Sequence, residues 1–84
     1  MIERGRANVI AAALVPGHPP FEVFPEGWAL VLPEGETIVI ERATGEARRF
    51  PSSVVRDRIF DSYATVRDGG VVLDIPAADE DTGG

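Results

Sequence analysis

The triplet Pro-Glu-Gly occurs at residues 25–27 and again at 33–35, and an apolar run follows each copy. Proline fixes φ and suits the second position of a tight turn, and glycine accepts the positive φ near the exit. The eight-residue spacing is what one short strand and one turn occupy. It is too short for a repeat architecture. The pair therefore predicts two turns between antiparallel neighbours: Phe21–Phe24 and Trp28–Leu32 on either side of the first, Trp28–Leu32 and Glu36–Arg42 on either side of the second. Trp28-Ala29-Leu30-Val31-Leu32 is apolar on both faces, which places it centrally. Glu36–Arg42 alternates, with Thr37, Val39 and Glu41 on one face and Glu36, Ile38, Ile40 and Arg42 on the other. Ala43-Thr44-Gly45-Glu46 closes a further hairpin through Gly45, and Ala47–Phe50 returns.

Pro51 ends that strand. Ser52 or Ser53 can cap a helix beginning at Val54, with Val55, Ile59, Phe60 and Tyr63 along one stripe and Arg56, Asp57, Arg58 and Asp61 outside it. Ala64–Arg67 extends again, Asp68-Gly69-Gly70 turns, and Val71–Ile75 is a last strand. The segment Arg6–Val15 reads two ways. Its alanines favour helix. Its Val and Ile, with no polar face, favour a buried strand, which is the reading adopted. Pro16-Gly17-His18-Pro19-Pro20 is a loop. The expectation is one α+β domain over residues 1–76: a small antiparallel sheet of four to six short strands with one short helix near 53–63. Residues 77–84 are expected to be a disordered acidic tail.

A chain of 84 residues forms one domain, burying roughly 60–65% of its unfolded surface. It has no cysteine, so disulfides and thiolate metal sites are excluded. No run reaches the ~18 apolar residues of a membrane span. The N-terminus lacks signal-peptide form, so the expected location is cytoplasmic.

The formal net charge is −6, and every basic residue other than His18 is arginine. Residues 42–67 carry a net +3, while the flanks 1–41 and 68–84 carry −4 and −5. Excess acid argues against direct nucleic-acid binding, which requires cations to displace counterions. A local anion or partner site is conceivable at Arg48, Arg49, Ser52, Ser53, Arg56 and Arg58, where guanidinium forks meet a helix start. The competing reading pairs these arginines with Glu46, Glu41 or Asp57. Glu26, Glu34 and Glu36 form a candidate acidic partner surface. Trp28, just after a turn, is a candidate interface anchor, and Tyr63 is assigned to the core.

His18, the single histidine, has no companion His or Cys for a transition metal and reads as an exposed loop residue. Ser52 and Ser53 lack a base and a nucleophile-elbow pattern. Asp79-Glu80-Asp81 lacks the spaced ligands of a calcium loop. No catalytic residue, metal or cofactor is assigned, and the chain reads as non-enzymatic.

From Pro33 onward, Pro33-Glu34-Gly35-Glu36, Gly45-Glu46, Phe50-Pro51 and Ile59-Phe60-Asp61-Ser62-Tyr63 resemble a family of short phage- and prophage-encoded proteins of unknown function. These have a Pro-Gly-Asp-type turn, a strand, a Gly-Glu hairpin, an aromatic-Pro step and a short helix bearing Phe and Tyr. The likeness covers about a third of the chain. It departs in Glu36 for the acid, an extra turn residue and a longer gap from Pro51 to Phe60. It implies a mobile-element origin and an accessory protein of the kind that binds host machinery. Taken with the net −6 and the acids grouped at both ends, the expected function is to bind and inhibit or sequester a host component such as a defence factor. The alternatives are a structural or homo-oligomeric virion or accessory module that pairs by sheet edges, and a small-anion or nucleotide binder at Arg48, Arg49 and the helix start.

Overall fold

The computed structural model describes residues 1–75. Helix α1 (Arg4–Leu14) is followed by strands β1 (Glu22–Phe24), β2 (Gly27–Val31), β3 (Thr37–Glu41) and β4 (Ala47–Phe50), then helix α2 (Arg56–Val66), a 3-10 turn (Arg67–Gly69) and strand β5 (Val71–Leu73). The strands form one antiparallel sheet in the order β1-β2-β3-β4-β5. This is the expected α+β class with its small antiparallel sheet, carrying two helices where one was read. The expected tail, 77–84, lies outside the described residues.

The two Pro-Glu-Gly triplets make different turns. In the first, Phe24 pairs with Gly27, so Pro25-Glu26 alone turns the chain and Gly27 opens β2. In the second, Gly35 stays in the turn at φ 98° and donates its N–H to the Leu32 carbonyl at 2.9 Å.

Residues 6–14 belong to α1, with Val15 at its C-cap, and not to a strand. Ala7, Ile10 and Ala11 are buried, with Leu14 packed beside them at helical spacing, while Asn8, Val9 and Ala12 face outward. The small alanines let the helix approach the sheet, and Trp28, Leu30, Ile38, Ile40 and Ala47 meet it there. The opposite sheet face offers Phe24, Ala29, Val39 and Phe50 to Ile59, Tyr63 and Val66 of α2. Covering both faces explains why β3 is buried at every position. Full burial of a side chain such as Leu30 or Phe50 stabilises by about 1.5–3 kcal/mol.

Three other expectations are corrected. α2 begins at Arg56 with Val55 at its N-cap and no side-chain cap bond, so neither Ser52 nor Ser53 caps it. Val55 is exposed rather than on the apolar stripe. Residues 64–66 remain helical beyond a kink at Ser62 (φ −142°, ψ 44°), and Asp68-Gly69-Gly70 lies in the connection to β5 rather than in a hairpin. β5 then pairs with β4.

Candidate functional site

Glu41 is the last residue of β3 and shares a face with Thr37 and Val39, so strand alternation turns its carboxylate inward toward α2. Its side chain is 7% exposed. Oε2 accepts from Tyr63 Oη at 2.6 Å, Arg67 Nε at 2.7 Å and Arg48 Nε at 3.1 Å. Oε1 accepts from Thr44 Oγ1 at 3.1 Å and Arg67 Nη2 at 3.3 Å. One carboxylate thus joins β3, the β3–β4 turn, β4, α2 and the 3-10 turn.

Burial alone would push the Glu41 carboxyl up. The bonds from Arg67, Tyr63 and Thr44, with the Arg67 charge, outweigh it and bring the pKa down from an ordinary 4.5 to about 2. Burial, then the Glu41 carboxylate, pushes the Tyr63 phenol up, and hydrogen bonding to Glu41 strengthens the Arg67 cation. Near neutral pH Glu41 therefore holds charge and is a poor base, while Tyr63 keeps its proton. Phenylalanine at 63 removes one bond to a charged acceptor. We expect a loss of about 1.5–3 kcal/mol, read as a lower urea midpoint with unchanged slope.

Beside this network lies an open cleft of about 470 Å³, lined by Pro25, Glu26, Ala43, Thr44, Tyr63 and Ala64 among others. Its volume falls within the range of small-molecule sites. Among the described residues, no group of three or more His, Cys, Asp or Glu is placed to hold a metal ion.

The six residues of the expected anion site are dispersed. Arg48 and Arg49 are consecutive on β4 and so face opposite ways. Arg48 pairs with Glu41 and, at 3.4 Å, with Glu46, as the competing reading had it. Arg49 pairs with Glu36. Arg56 reaches Glu22 of β1 at 2.8 Å and Asp57 at 3.4 Å, and the Glu22 contact strengthens its charge. Ser52, Ser53 and Arg58 are exposed. An anion arriving at Arg48, Arg49 or Arg56 would have to displace a carboxylate already in place.

The acidic triad is divided as well. Glu26 and Glu34 lie in turns at opposite ends of β2, both exposed, and Glu36 is tied to Arg49. Trp28, expected at a rim as an interface anchor, is 2% exposed beneath α1, with the Arg42 guanidinium 4.4 Å from its ring centre. Its side chain shares the α1 face with Leu30, which is why a position just after a turn is nonetheless core. His18 is half-buried rather than exposed. It stacks on Phe21 at 5.3 Å, and its Nδ1 lies 2.7 Å from the Pro19 carbonyl.

The roles of Arg67 and Thr44 in this network were missed. One signal was readable, namely an acid sharing a strand face with Thr37 and Val39, which demands a buried cation or donors once that face is covered. Which arginine answered it depended on where α2 ended.

Among the described residues no helix is long and apolar enough to cross a membrane. No protein-family model, no curated protein and no solved structure matches the chain.

Proposed function

We propose that this chain is a small non-enzymatic contact protein of the phage type. It binds a cationic surface on a host component, such as a bacterial defence factor, and occludes it in the cytoplasm of an infected or prophage-carrying cell. The observation that carries this reading is the disposition of charge. Arg48, Arg49, Arg56 and Arg67 are each engaged by carboxylates of the chain itself. Among the described residues Glu26 and Glu34 face solvent, on a chain whose formal net charge is −6. Such a surface favours a basic partner by steering and complementarity. The non-catalytic part of the reading is supported by Glu41, whose charge is fixed by five hydrogen bonds.

The test uses a partner captured from bacterial lysate and purified. Glu26→Lys with Glu34→Lys leaves the Glu36–Arg49 pair intact and, at exposed turns, should change stability by only about 0.5 kcal/mol. We expect the double reversal to weaken Kd by ~10-fold or more, and raising salt from about 0.05 to 0.5 M to weaken the parent chain similarly. A Kd unmoved by both changes would overturn the electrostatic reading.

A further inference from the structure

Among the described residues β1 and β5 are the two edges of the sheet, so each has one row of backbone N–H and C=O groups that no neighbouring described strand covers. The two edges are built differently. β1 follows Pro19-Pro20 closely and is followed at once by Pro25, and its Glu22 is engaged by Arg56. Prolines and charge of this kind blunt an edge against further pairing. β5 itself holds no proline or charge, with Asp74 following just past its end. It is preceded by Gly69-Gly70, carries no charge from 70 to 73, and exposes Val71 by 66% and Val72 by 50%.

We propose that the outer edge of β5 pairs with β5 of a second copy of this chain, giving a two-fold dimer with one continuous sheet of ten strands, five from each copy. The occupant follows from register and charge. Antiparallel pairing about a two-fold axis at Val72 sets Val72 against Val72 of the second copy, Val71 against Leu73 and Gly70 against Asp74. No like charges oppose one another, and the exposed valines gain apolar partners. The guarded β1 edge disfavours head-to-tail β1–β5 contacts, which would grow without limit, and leaves the self-complementary edge, which closes at two. Three residues per copy make a seam well below the roughly 1,200–2,000 Å² of a stable complex, so the dimer is a weak and reversible one. Each copy carries −6, so added salt strengthens this association by screening, the reverse of its effect on a basic partner. The proposal does not depend on the function proposed above, and the opposite salt responses separate the two.

The chain contains no cysteine, which makes a clean reporter available. Directly opposed residues in an antiparallel pair have Cβ atoms about 4.5–5.5 Å apart, near enough for a disulfide after a small adjustment. Under mild oxidation Val72→Cys should form a covalent dimer at least ~10-fold faster than Val23→Cys, which carries its thiol on the β1 edge. Sedimentation of the parent chain up to about 1 mM should show the average mass rising toward twice the monomer and no further, more so at high salt. Val72→Lys should abolish the rise while keeping the parent far-UV circular dichroism. A monomer throughout, growth beyond a dimer, equal cross-linking at 72 and 23, or undiminished association in a folded Val72→Lys protein would each overturn the proposal.

Discussion

Replacing Glu41 with alanine is expected to lower the unfolding free energy by about 3–5 kcal/mol, the range for removing one partner from a buried ion pair. That is a large fraction of the ~5–15 kcal/mol available to a small domain. The two arginines left behind are not equivalent. Arg67, with its side chain 38% exposed, can swing toward water, whereas Arg48, at 11%, cannot. The Tyr63 hydroxyl also loses its acceptor. Urea unfolding of the variant against the parent measures the loss, and a difference below about 1 kcal/mol would mean that the network contributes little. The same carboxylate sets a pH dependence. Its pKa is about 2 when folded and near 4.5 otherwise. Its contribution is therefore complete above pH 4.5 and is lost as pH falls toward 2. The shift corresponds to about 3 kcal/mol. The difference in stability between parent and Glu41→Ala should shrink across that window and stay flat from pH 5 to 8.

Gly27→Ala should be the most damaging single methyl in the chain. A Cβ at residue 27 would lie 2.1 Å from the Ile40 carbonyl oxygen of the neighbouring strand and 3.0 Å from the Arg42 nitrogen just past its end, both backbone atoms. Neither can move without opening the β2–β3 ladder, in which Gly27 pairs with Glu41. We expect a loss of more than about 4 kcal/mol or no cooperative transition, a size reserved for overpacking at a site that cannot relax. Gly5→Ala supplies the contrast. A Cβ there meets nothing within 4 Å and lies in α1. Alanine should raise stability by about 0.5–1 kcal/mol through helix propensity. Thermal melts of both variants beside the parent decide the matter, and similar shifts would contradict the close approach at Gly27.

The sheet was legible because its signals are local. The turn residues, the 2-residue alternation from Thr37 to Glu41 and the Gly45 hairpin each act within a few residues. Helix α1 was misread because its apolar run contains no polar residue to reveal a period, and alanine is silent about which side is buried. A non-local clue was present. The strand beginning at Trp28 is apolar on both faces and so needs two covers, and only residues 6–15 remained to provide the second. The candidate site was legible in part. The Arg48 pairing with Glu41 and Glu46 follows from strand alternation and the short hairpin. The Arg67 contact spans 26 residues and depends on α2 continuing past its Ser62 kink, which no local pattern encodes. Trp28 was misplaced because proximity to a turn says nothing about which face of the strand a helix will cover.

Strands β1 to β4 each lie beside their neighbour in the chain, so this part of the sheet can zip up hairpin by hairpin with short loops to close, and β5 joins the β4 edge after the chain has passed through α2. The first helix is the exception. Its 11 residues are too few to hold a helix alone in water, and its docking surface comprises Trp28, Leu30, Ile38, Ile40 and Ala47. During synthesis α1 leaves the ribosome before the strands it packs on, so its docking surface is incomplete until β3 and β4 have followed.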